Sequence, residues 1–87
     1  MTNDLNALAA KVEGLTRSDN YLDVAVEIEL FKPNSVYAAV RANAAGSKLI
    51  YTDRTGNEVT CWAEDWTRRP EQTAAALRAR AKERADG

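Results

Sequence analysis

Between Lys48 and Thr67 the chain reads KLIYTDRTGNEVTCWAEDWT. It is the only segment that reads clearly as extended, and it holds both tryptophans and the single cysteine. Leu49 and Tyr51 form one apolar run with a spacing of two, and Val59, Cys61 and Ala63 form another. Side chains two apart on a strand share a face, so each run places its apolar members on one side. The intervening Asp53-Arg54-Thr55-Gly56-Asn57 is turn-like, and Gly56 supplies the positive φ that a hairpin loop of this length needs. The pattern predicts an antiparallel hairpin over about 48–66. Ile50 and Trp62 fall on its opposite face, beside Thr52 and Thr60. A hairpin with apolar residues on both faces calls for cover on both. The expectation is an α+β fold in which the first and last helices sandwich the hairpin.

The length of 87 residues predicts a single domain, 1–87, with a modest core. Many of the hydrophobic residues are alanines, which bury little. A formal net charge of −1 gives no global pull toward nucleic acid or membrane. The charge is unevenly spread: residues 1–33 carry six acids and three bases, residues 34–66 four and three, and residues 67–87 three and six. One cysteine excludes an internal disulfide and fits a reducing cytoplasm. No apolar run approaches the length of a membrane span, and no charged-then-apolar leader opens the chain. The expectation is a soluble protein of the cytoplasm.

Thr2, Asn3 and Asp4 offer capping oxygens ahead of Leu5, Leu8, Ala9 and Val12, which recur at helical spacing until Gly14. Ser18-Asp19-Asn20 caps a second element, Tyr21 to Phe31, where two periods compete. Val24, Ala25, Ile28 and Phe31 make a helical stripe, while Val24, Val26, Ile28 and Leu30 alternate as in a strand. Caps and length predict a helix, ended by Pro33. Asn34-Ser35 then leads into Val36 to Ala45, which its alanines predict as a helix closed by Gly46; a strand over Val36 to Val40 is the alternative. Pro70 suits the first position of a last helix. Glu71 lies near the positive end of that helix, and Arg78, Arg80, Lys82 and Arg84 lie toward the negative end. Ala74, Leu77 and Ala81 form a small-residue stripe suited to close packing on the sheet.

Little here points to catalysis. Histidine is absent, which removes the commonest general base and the commonest zinc ligand. The glycines at 14, 46, 56 and 87 build no phosphate loop. Cys61, inside an alternating strand, reads as a small buried hydrophobe with no histidine to activate it. Glu64 and Asp65 are neighbours on extended chain, so they point to opposite faces and do not share a site. No catalytic residue, cofactor or metal is expected.

Binding has more support. Trp62, Trp66 and Tyr51 lie on one hairpin, and Arg68 and Arg69 follow directly. Tryptophan, tyrosine and arginine dominate interface hot spots. Aromatic rings beside guanidinium groups also suit a nucleotide. Core packing of both indoles is the competing reading. The expected working surface is Trp66, Arg68 and Arg69, with Tyr51 and Trp62 as outer members. Trp66 ends the strand, whereas Trp62 lies within it and is the expected core residue. The basic C-terminal run has a helix-dipole explanation that needs no partner.

The segments LDVAVEIELF, VYAAVRANAAGSKLIYTDRTGNEVTCWAEDWT and TAAALRARA resemble small phage or prophage proteins of the phage αβα-sandwich domain family. The opening DLNALAAKVEGL, followed by a polar break and LDVAV, is similar to that family's opening helix pair, TAAALRARA is similar to its last helix, and residues 34–47 depart from its longer pattern. The resemblance implies a small three-layer α/β/α-type sandwich and a non-enzymatic role in a host cell. Three function classes follow. The first is a protein-binding inhibitor of a host anti-phage defence system, such as an anti-CRISPR. The second is a sponge for a signalling nucleotide, and the third a structural or morphogenesis accessory. A homodimer is favoured over a monomer, because a small alanine-rich core gains burial by association and a hairpin offers an edge strand.

Overall fold

A computed structural model of the chain describes residues 3–86. The caps expected at Thr2, Asn3 and Asp4 lie outside its described residues and side chains. The elements run α1 (Asn3–Glu13), α2 (Asn20–Leu30), β1 (Tyr37–Ala42), β2 (Leu49–Asp53), β3 (Glu58–Cys61), a 3₁₀ turn (Trp66–Arg68) and α3 (Pro70–Asp86). The three strands form an antiparallel meander in the order β1-β2-β3. The α+β class, the hairpin within 48–66 and helices beside the sheet match the sequence reading, but the first and last helices do not sandwich the hairpin: α1 and α3 pack on each other, and α2 lies against the strands.

The hairpin turn is built by Asp53. Its Oδ1 accepts the backbone N–H of Thr55 at 2.8 Å, the Thr55 hydroxyl at 2.7 Å and the N–H of Asn57 at 3.0 Å. Gly56 takes the expected positive φ, +92°. These bonds hold the Asp53 carboxyl below the usual carboxylate range, the Thr55 hydroxyl contributing most.

Residues 36–45, expected as a helix with a strand as the alternative, supply β1 instead. Asn34 caps no helix. Its Oδ1 accepts the N–H groups of Val36 and Tyr37, each at 2.8 Å, and the turn launches the chain along β2. A bulge between Tyr37 and Ala39 adjusts the register. Pairing with β2 outweighs the helix preference of the alanines, because the ladder satisfies the backbone and seats Tyr37 against Tyr51, ring centroids 5.0 Å apart. Gly46, at φ +73°, sits in the β1–β2 turn and closes no helix.

The competing periods in α2 have one cause. This helix is apolar on two nearly opposite sides. At about 100° per residue, Val24 and Ile28 share a side with Phe31, whose ring meets Tyr51 of β2 at 5.9 Å. Val26 and Leu30 lie on the other side and join the helical core of Leu5, Ala9, Val12, Ala74, Leu77 and Ala81. Burial on two sides of a helix therefore imitates strand alternation. The small-residue stripe of α3 packs on α1 rather than on the sheet. Glu13 to Arg78 at 2.6 Å and Glu29 to Arg84 at 2.9 Å bind α3 to α1 and α2. Part of the basic C-terminal run thus meets carboxylates within the chain.

With α2 laid on one side of the sheet, the other side stays open. It carries Ala39, Arg41, Ile50, Thr52, Glu58, Thr60 and Trp62, of which Ile50 and Thr52, on the central strand, are half-buried and the rest exposed.

Candidate functional site

Asp23 and Glu27 are four residues apart on α2, so both carboxylates face the same way. The chain leaving β3 is drawn across them. Asp23, 4% exposed, accepts the backbone N–H of Thr67 at 2.7 Å. Glu27 Oε1 accepts the N–H of Glu64 and the indole N–H of Trp66, each at 3.0 Å. The Tyr51 hydroxyl donates to Glu27 Oε2. Thr67 is fixed a second time, its hydroxyl accepting the N–H of Asp19 at 2.8 Å. The Thr73 hydroxyl donates to the carbonyl of Trp66 at 2.7 Å.

A cleft of about 230 Å³ opens beside this network, lined by Glu27, Leu30, Phe31, Tyr51, Glu64 and Trp66. Burial pushes the Tyr51 phenol up, and the hydrogen bond to Glu27 with the negative charge around it pushes further the same way. The phenol stays protonated and a donor. Burial also raises the Cys61 thiol, with the Glu27 charge adding to it, so the sulfur is not an activated thiolate.

The five residues expected to form one surface lie in three places. Tyr51 and Trp66 meet at Glu27 and line the cleft. Arg68 and Arg69 are exposed outside it, Arg68 lying 3.8 Å from Asp65 and Arg69 leading into α3. Trp62 stands on the open side of the sheet, 64% exposed, with the Lys48 ammonium 4.6 Å from its ring centroid.

The two tryptophans therefore exchange their expected roles. Trp66 is half-buried and packs against the helical core, because Glu27 and Thr73 pull its segment inward. Trp62 is displayed, because, directly after β3, it continues the alternation of Glu58 and Thr60 on the side of the sheet that α2 does not cover. Sequence reasoning also missed Asp23 and Glu27. Their signal was available: two acids at helical spacing inside DVAVE, on a helix otherwise apolar on two sides.

Around Trp62 the open face is mixed in character. Arg41 and Glu58 flank β2 and pair at 2.7 Å, a contact that lowers the Glu58 carboxyl and raises the Arg41 guanidinium. Ile50 lies between them. The face thus combines an exposed aromatic, an apolar neighbour and a charged border.

Among the described residues, no three His, Cys, Asp or Glu side chains converge as metal ligands, and no helix is long and apolar enough to cross a membrane. No family model, curated protein or solved structure matches the chain.

Proposed function

We propose that the chain is a non-enzymatic protein-binding module whose docking surface is the open face of the sheet, anchored by Trp62. The observation that carries this reading is a tryptophan left 64% exposed on a sheet whose other side is covered. Burying such a ring is among the largest single contributions to an interface. The resemblance to phage αβα-sandwich proteins directs the partner class to a host protein. The role is then inhibition of a host defence component within the host cytoplasm, as an anti-CRISPR inhibits its target. A nucleotide sponge fits less well. It needs aromatics and arginines together, whereas the cleft holding Tyr51 and Trp66 is lined by carboxylates.

A second copy of the chain is a further partner under this reading. The backbone N–H of Asp53 donates to the carbonyl of Asn57 at 2.9 Å, so alternation along the ladder aims the backbone groups of Val59 and Cys61 at β2. The backbone groups of Glu58 and Thr60 then point outward from an unpaired edge. The β1 edge is blunted by its bulge, while β3 has neither a bulge nor a proline. Two β3 strands pairing about Thr60 would place the Val59 of each copy, 49% exposed in one chain, opposite the Cys61 of the other.

The test is affinity capture from a host lysate with the wild-type chain, Trp62→Ala and Tyr21→Ala. Tyr21 is a control of equal exposure, 64%, on α2. The proposal expects a host protein that Trp62→Ala loses and Tyr21→Ala keeps. A protein kept by both variants would overturn the assignment of the surface. A virion protein in place of a host effector would move the role to morphogenesis.

A further inference from the structure

Glu27 and Glu64 have no basic partner among the described residues, whereas Glu13, Glu29, Glu58, Asp65 and Glu83 each face one. Both unpaired carboxylates line the same cleft. Glu27 Oε1 already takes two donors, but Oε2 takes one, from Tyr51, and keeps an open lone pair. The Glu64 side chain accepts no hydrogen bond among the described residues. The remaining walls are Leu30, Phe31, Tyr51 and Trp66. Aromatic faces carry negative potential, and beside uncompensated carboxylates they form a setting for an organic cation with a flat or apolar body.

The size narrows the choice. A volume of about 230 Å³ is below the range of about 300–1,000 Å³ usual for small-molecule sites, and it suits one inserted side chain. Between the two basic side chains, guanidinium is the more weakly hydrated and presents a planar fork of donors to carboxylates. Ammonium is compact and strongly hydrated, so aromatic walls cost it more.

We propose that the cleft between α2 and the 64–66 segment receives an arginine side chain of a partner protein. Glu64 and the free lone pair of Glu27 accept from the guanidinium, while Phe31, Tyr51 and Trp66 wall it. The proposal rests on the protein-binding reading only for the source of the side chain. The cleft opens on the α2 side of the sheet, away from Trp62, so the two surfaces are tested separately.

The chain has two tryptophans, hence two indole N–H resonances, which Trp62→Phe assigns. Titrating the ¹⁵N-labelled wild-type chain with Nα-acetyl-arginine amide should shift the Trp66 indole signal saturably. The neutral isostere Nα-acetyl-citrulline amide should leave it in place, and Nα-acetyl-lysine amide should bind at least threefold more weakly. Glu64→Gln, at an exposed position, should weaken arginine binding at least fivefold with the rest of the spectrum unchanged. The proposal is overturned if citrulline shifts the signal as arginine does, if arginine gives no saturable shift, or if Glu64→Gln binds normally. Lysine binding as tightly as arginine would overturn the guanidinium assignment. An arginine response together with capture indifferent to Trp62→Ala would sink the docking face and leave the cleft standing.

Discussion

Trp66 donates its indole N–H to Oε1 of Glu27 at 3.0 Å, across 39 positions of sequence. That bond, with those from Tyr51 and the backbone of Glu64, makes one carboxylate on α2 the meeting point of β2, the chain leaving β3 and the helical core. A half-buried group serving three donors has no neutral hydrocarbon substitute.

Replacing Glu27 should therefore cost more than an ordinary surface change. Glu27→Ala leaves the Tyr51 hydroxyl, the Trp66 indole and the Glu64 N–H without their acceptor, and at about 1 kcal/mol each the loss is about 3 kcal/mol. For a domain of this size that lowers the melting temperature by about 12–24 °C. Glu27→Gln keeps one acceptor oxygen and should fall between. Thermal melts followed by circular dichroism at neutral pH check this, and a Glu27→Ala melt within 3 °C of wild type would count against the network.

Tyr51 gives the chain a limit at alkaline pH. Its phenol is raised in the folded state, by burial first and by Glu27 next, so the folded chain holds the proton more tightly than the unfolded one. Stability from this group is fully present below the unfolded value of about 10 and is lost as pH rises above it. Denaturant midpoints should fall above about pH 10, and Tyr51→Phe should flatten that part of the profile. An unchanged slope in the variant would assign the loss to other groups.

The β3 edge makes a statement about mass. Light scattering at micromolar concentration should give about twice the 9.6 kDa of one chain. Thr60→Pro removes an outward N–H while sparing the bonds to β2, so it should return the mass to that of a monomer with the β-sheet signal retained. A wild-type chain that is monomeric under these conditions has no such pairing.

Much of this fold is legible in the sequence, and the failures have physical causes. Asp53 to Asn57 announced the hairpin turn because its bonds are local, closing within four residues. Pro70 and Gly14 marked helix ends for the same reason. The α2 segment was ambiguous because burial on two sides of a helix writes Val24, Val26, Ile28 and Leu30 in strand rhythm. The β1 strand was hidden by alanines whose local preference is helical, and its identity depends on β2, met only later in the chain. Trp62 and Trp66 could not be told apart locally. Which is displayed depends on where α2 lies and on Glu27, nearly forty positions upstream.

Trp62→Ala and Trp66→Ala measured side by side test this division of labour between the tryptophans. Each variant is scored for melting temperature and for retention of the captured partner. Trp62→Ala should change folding stability by no more than about 0.5 kcal/mol and cost about 2 kcal/mol or more in binding, roughly thirtyfold in affinity. Trp66→Ala should lose about 3 kcal/mol or more of folding stability. A chain that melts normally without Trp66 and binds normally without Trp62 would contradict both assignments.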